Sequence, residues 1–262
     1  MQSWVVWVEF VTTTIEWSDL VHSLFQDYDT FQYVVKGEDM LRSLRDKIIQ
    51  DNQAEFKDRY HRFRWLTAEE GQAVAKQRQD VLSALKGKIH MRAKGTKPHF
   101  GPLSPGCELC AQGQWSCLFV NGICNCCCFY CPAEQNSVDM PMTNRISFLE
   151  PQEYIEYLEK FGFRGVGLSG GEPLMTLNTT LRFAEKVKKR FGDRIYIWLY
   201  TNGTLVDADK LSRLADVGVN EIRFDIGATA YDLSKAGLAV GTIGRVTVEI
   251  PAVPEEVELM KK

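Results

Sequence analysis

All eight cysteines of this 262-residue chain fall between Cys107 and Cys131. A secreted disulfide scaffold spreads its cysteines through the fold, whereas crowding of this kind in a reducing compartment points to metal. Within the crowd, Cys124, Cys128 and Cys131 have the spacing Cys-x3-Cys-x2-Cys, and no other choice of three repeats it. Three thiolates on one tight loop can hold three corners of a cubane iron–sulfur cluster, because soft sulfur suits such clusters better than hard cations. A fourth iron without a protein ligand is open to substrate. The spacing therefore implies a reaction and not only electron storage.

A chain of this length buries a substantial core, and one large domain plus an extension is the natural count. The hydrophobic fraction of 45% is that of an ordinary globular protein. A net charge of −3 gives no global push toward nucleic acid or membrane. The apolar start, Trp4 to Val11, is interrupted by Glu9, lacks a basic flank and is too short to span a bilayer. A cytoplasmic protein is expected.

Residues 1–99 read as a mainly helical extension. Residues 3–14 have strand composition, and a short amphipathic helix is expected after Trp17. No proline occurs from 38 to 94, and Thr67 with Glu70 has the form of a capping box for a helix running toward Lys86. Basic residues between Lys57 and Lys97, among them Arg64 and Arg92, read as a solvated face or as a docking surface for an acidic partner. The Gly- and Pro-rich stretch from Lys94 to Gly106 reads as a linker or as an entry loop into the part that follows.

From residue 100 onward, apolar strand patterns alternate with helical ones. Strands are expected at 117–123, 165–169, 194–200, 221–226 and 245–250. Ser147 and Glu150 suggest a capping box for the helix that follows the first strand. Such alternation predicts a parallel sheet with helical crossovers, an α/β fold that curls into a partial (β/α) barrel. The cysteine triplet, Gly170-Gly171-Glu172-Pro173 and Thr201-Asn202 then all fall at strand C-termini, where barrels of this kind place their sites. On the fourth strand Arg223 and Asp225 share a face, either paired with each other or turned to a ligand. Glu249 on the fifth is read in the same way.

Tyr130 places an aromatic just before the third cysteine, and Gly-Gly-Glu-Pro follows roughly forty residues later at a strand end. In these two motifs the chain resembles the radical SAM (S-adenosylmethionine) superfamily, over about residues 100–262. The resemblance implies a [4Fe–4S] cluster on Cys124, Cys128 and Cys131, with SAM chelated to the open iron. It implies reductive cleavage of SAM to a 5′-deoxyadenosyl radical that abstracts hydrogen from substrate. Cofactor contacts are then expected from Tyr130, Gly170, Gly171, Glu172, Pro173, Thr201, Asn202, Arg223 and Asp225, with Phe129 in the core. The Gly-Gly-Glu-Pro segment is expected to meet the methionine ammonium, its glycines allowing close backbone approach. Reduction needs an electron donor such as ferredoxin or flavodoxin.

The family's usual core has six strand–helix units. Five strands are read here before Lys262, so a barrel cut short after the fifth strand is expected, with Trp4–Val11 a candidate cover for its far edge. Cys107, Cys110 and Cys117 can complete an accessory site with Cys126 or Cys127, for zinc or a second iron–sulfur cluster, or can line the loop as free thiols. The cysteine-rich lead-in suggests activating enzymes that install a glycyl radical, or peptide-modifying enzymes, and so a protein or peptide substrate. From a different class, a zinc-binding structural or interaction module accounts for the cysteines but leaves Gly-Gly-Glu-Pro without a role.

Overall fold

Thr67 and Glu70 form the expected capping box. The Thr67 hydroxyl accepts from the Glu70 backbone N–H and the Glu70 carboxylate from that of Thr67, starting α1, Ala68–Ala84. The computed structural model describes residues 43–44, 46–54, 57–62, 64, 66–92, 97–131, 140–251, 253 and 256–261. The strand expected at 3–14 and the helix after Trp17 lie outside these. Two compact units divide the chain, with the boundary between Ile89 and His90. In the first, Arg64 is ion-paired with Glu70, in keeping with a solvated charge.

The second unit opens differently from the expected linker. β1 (His90–Arg92) and β2 (Lys97–His99) pair as an antiparallel ladder. Pro105 and Gly106 then start a helix, α2 (Pro105–Ala111), with Ser104 as N-cap accepting from the Cys107 N–H. Proline suits this position because its missing N–H has no intrahelical partner there anyway.

β3 (Trp115–Phe119) is followed by the short strands β4 (Met142–Thr143) and β5 (Ile146–Ser147) and then by α3 (Pro151–Phe161). The capping box of α3 is Glu150 with Glu153, three residues later than Ser147 with Glu150, because Pro151 takes the first helical position. Next come β6 (Gly165–Ser169), α4 (Leu177–Phe191), β7 (Tyr196–Thr201), α5 (Ala208–Asp216), β8 (Glu221–Asp225), α6 (Ser234–Ala239), β9 (Arg245–Glu249) and α7 (Val257–Met260).

The sheet order is β5-β4-β3-β6-β7-β8-β9, with β3, β6, β7, β8 and β9 mutually parallel in chain order. The sheet is open, with β5 and β9 at its edges among the described residues. The fold is mixed α/β with a parallel-dominated sheet, that of a partial (β/α) barrel.

Period-two alternation sorts each parallel strand between two faces. Leu118, Val166, Leu168, Ile197, Leu199, Ile222 and Phe224 are buried with Leu158, Phe183, Val187, Leu211 and Leu214 of the helices. Each such side chain contributes about 1.5–3 kcal/mol. Trp115, Trp198, Glu221, Arg223 and Asp225 point to the other, inner face. There α2 packs on β6 and β7. A Cβ on Gly106 would lie 2.5 Å from Arg223 Nη2 and 3.3 Å from the Trp198 ring, so the missing side chain lets the helix sit close without displacing Arg223.

Candidate active site

Past Phe119 the chain leaves the regular ladder but keeps its hydrogen bonds to the end of β6 and the segment after it. Val120 N–H donates to Ser169 O, Gly171 N–H to Asn121 O and Glu172 N–H to Ile123 O, at 2.8, 2.9 and 2.7 Å. The first strand is thus shorter than 117–123, although its alignment with the neighbouring chain continues. This zipper delivers Cys124 at the C-terminal end of the sheet. It also explains the paired glycines. A Cβ on Gly170 would sit 2.2 Å from Asn121 O, and one on Gly171 would sit 2.0 Å from Ile123 O. The close backbone approach is to the cysteine loop itself.

A cavity of about 300 Å³ opens at this end of the inner face. Cys124, Cys128 and Cys131 line it, together with Tyr130, Gly170, Gly171, Thr201, Asn202, Arg223 and Asp225. Residues widely separated in sequence are brought to one place because β3, β6, β7 and β8 all end there. Glu172 and Pro173 do not line the cavity. Pro173 is buried at the start of a 3-10 turn, Pro173–Thr176. Glu172 is 1% exposed, and its carboxylate accepts from Thr201 Oγ1 at 2.9 Å, Asn202 N–H at 2.8 Å and Leu174 N–H at 3.0 Å. Burial pushes its carboxyl up, and those three donors pull it back toward the ionised form. Glu172 therefore ties the end of β6 to the end of β7 from beneath.

Tyr130 OH donates to Asp225 Oδ1 at 3.1 Å, joining the cysteine loop to the end of β8. Burial raises the Asp225 carboxyl, opposed by Tyr130 and by the N–H groups of Gly227 and Ala228. Burial also raises the Cys128 thiol, opposed by Tyr130, with Asp225, Cys131 and Cys124 adding to the rise. Phe129, expected in the core, is 71% exposed, because the tight loop turns it outward while Tyr130 turns in.

Arg223 does not pair with Asp225. Its Nε donates to Glu221 Oε1 at 2.8 Å, and its Nη1 reaches Tyr200 OH at 3.2 Å and Glu249 Oε1 at 3.5 Å. Trp198 and Tyr200 flank the guanidinium, 5.1 and 5.3 Å from their ring centres. Sequence reasoning did not single out Phe119, Ser169, Tyr200 and Ala228, which also line the cavity. The signal was available for Phe119, Ser169 and Tyr200, the last inward-facing residues of β3, β6 and β7.

Cys107 Sγ lies 3.5 Å from Arg223 Nη2, and Cys110 Sγ lies 3.9 Å from Lys97 Nζ. Cys117 is on the inner face of β3, and burial pushes its thiol up to about 12. Among the described residues, no three Cys, His, Asp or Glu side chains are gathered tightly enough to hold a single metal ion. The cysteine triplet instead surrounds a cavity. A soft donor set spread around a space of this kind fits the corners of a multi-iron cluster.

The family model of the Radical SAM superfamily matches residues 118–240, from β3 through α6. This stretch is a radical SAM domain. A putative glycyl-radical enzyme activating enzyme of Methanocaldococcus jannaschii is 34% identical over 181 residues, 64% of this chain and 48% of the relative. A probable GTP 3′,8-cyclase of the same organism is 30% identical over 133 residues, 49% of this chain and 41% of the relative. The chain spans less than half the length of each of these curated relatives. A radical SAM domain implies a [4Fe–4S] cluster and SAM, and the three thiols that line the cavity are soft donors of the kind such a cluster takes. No helix among the described residues is long and apolar enough to cross a membrane.

Proposed function

We propose that this chain is a radical SAM enzyme of the activating-enzyme kind, which takes a hydrogen atom from a protein or peptide substrate. One observation carries the reading: Cys124, Cys128 and Cys131 line the same cavity as the ends of β6, β7 and β8. The three thiolates would hold three irons of a [4Fe–4S] cluster and leave a fourth free for SAM. When bound, that pair supplies a carbon-centred radical able to abstract hydrogen.

The chain's own residues do the positioning. Tyr130 and Asp225 hold the cysteine loop against β8, and Glu172 holds β6 to β7. Gly170 and Gly171 line the cavity and, by lacking side chains, let the cysteine loop pack directly on the end of β6. Asp225 and Glu249 supply negative charge that suits the ammonium and sulfonium of SAM. An activating role, and with it a protein substrate, is supported by the relative named for that activity; reduction of the cluster would call on a low-potential donor such as ferredoxin or flavodoxin. A zinc-binding structural module gains less support, since the described thiols do not gather at one point.

The test is anaerobic reconstitution with iron and sulfide, then SAM and dithionite, comparing wild type with Cys128→Ala. About four irons per chain are expected, with 5′-deoxyadenosine formed by wild type and lost in the variant. Zinc without iron and no SAM cleavage would sink the reading. About eight irons would add a second cluster and bring Cys107, Cys110 and Cys117 into account.

A further inference from the structure

Asn202, at the end of β7, sits in a closed ring of side-chain hydrogen bonds. Its Nδ2 donates to Asn125 Oδ1 at 2.8 Å, Asn125 Nδ2 donates to Thr204 Oγ1 at 2.7 Å, and Thr204 Oγ1 donates to Asn202 Oδ1 at 2.7 Å. Donors and acceptors run one way round, so each hydroxyl and amide is used consistently. Thr204 N–H also donates to Asn202 Oδ1 at 2.9 Å, which settles which end of the amide is oxygen. Asn202 N–H is in turn fixed on Glu172.

An amide nitrogen carries two hydrogens, and the ring uses one. The other faces Cys124 Sγ, 3.8 Å from Nδ2. The same sulfur receives the Cys126 backbone N–H at 3.4 Å. Cys124 thus has two N–H donors from different segments, and the side-chain one is held in place by three residues rather than left to rotate.

We propose that Asn202 is a positioning residue for the cluster rather than only a wall of the SAM pocket, and that its amide raises the cluster's reduction potential through Cys124. This rests on the cluster reading of the triplet given above. Reduction adds one electron and no proton, so negative charge grows on the cluster and its sulfurs. An N–H dipole aimed at a ligating sulfur stabilises that charge and favours the reduced form. Asn125 and Thr204 act one step further out, by keeping the dipole aimed.

The experiment uses the full chain, reconstituted with iron and sulfide without oxygen, as wild type, Asn202→Ala and Thr204→Val. Iron is counted, and the midpoint potential is read by titration with electron paramagnetic resonance detection. SAM is left out, so a lost contact with SAM cannot move the value. Equal iron is expected, with a more negative potential in Asn202→Ala and a smaller shift of the same sign in Thr204→Val. Unchanged potentials at equal iron overturn the proposal. So does a shift to less negative values, the sign expected if the loop merely loosens and admits water to stabilise the reduced charge. If Asn202→Ala fails to keep its cluster, Thr204→Val decides alone, since it leaves the amide and removes only the hydroxyl that orients it. A wild type that takes up no iron overturns the cluster reading and this proposal with it, an outcome distinct from untuned potentials at full iron.

Discussion

Toward the N-terminal ends of β7 and β8 the inner face of the sheet is covered by α2, whereas toward their C-terminal ends the same face opens into the cysteine-lined cavity. The two regions share strands and alternation but differ in what satisfies their polar groups. Under α2, Glu221 is fully buried and accepts from Arg223, Ser104, Tyr196 and Thr247. At the cavity, Asp225 and Glu249 have fewer donors, and burial raises both carboxyls. A buried charge with a full set of partners is structural, while one left short of them is available to a ligand. Arg223 belongs to both regions, its Nε toward Glu221 and its Nη1 toward Glu249.

The largest effect separating the two regions is expected from Arg223→Ala. It leaves Glu221 buried without its counter-charge, and removing one partner of such a pair costs about 3–5 kcal/mol. Urea unfolding followed by tryptophan fluorescence reads the loss. A cost below about 1 kcal/mol, the range of exposed pairs, would show that the α2 end does not depend on this charge.

A glycine at each end sharpens the contrast. In Gly171→Ala the new methyl meets the Ile123 backbone carbonyl, which cannot swing aside, so the cysteine loop must move. Iron uptake is expected to fall several-fold while circular dichroism stays unchanged. In Gly106→Ala the nearest atom is the far end of the Arg223 side chain, which can give way. That variant is expected to lose about 1–3 kcal/mol of stability by overpacking and to keep its iron. The reverse assignment would break the comparison.

The smallest effect is a pH dependence of the metal-free chain. With Asp225 and Glu249 raised by burial, the folded state binds their protons more tightly than the unfolded state does. Stability should therefore fall as pH rises from about 4, the unfolded carboxylate range, through the raised values, and then level off. Melting temperatures of wild type and of the double variant Asp225→Asn, Glu249→Gln check this across that window. The slope is expected to shrink without vanishing, because burial raises Glu172 as well; an unchanged slope in the double variant places its source elsewhere.

Much of this architecture was readable beforehand. The second to fifth strands fall within two residues of their expected limits, because parallel strands buried on both faces leave continuous apolar runs such as Val166–Leu168 and Ile197–Leu199. The first strand was placed too late because Val120 to Ile123 hydrogen-bonds to its neighbour without forming a regular ladder. Lys94–Gly106 read as a linker, yet proline and glycine there serve an antiparallel pair and a helix start.

Local chemistry was set by the sequence alone: the spacing of the cysteine triplet, the glycine pair, the capping box at Thr67 and the face on which each strand residue lies. These depend on neighbours a few residues apart, or on a period of two. Only the tertiary structure decided that the glycine pair packs against the cysteine loop. It also decided that Glu172 holds strand ends beneath the cavity, that Arg223 pairs with Glu221 and Glu249, and that Asn202 aims an N–H at Cys124. Each of these partners comes from another strand or loop, and alternation tells which face a residue lies on but not how deep it sits or what it meets there.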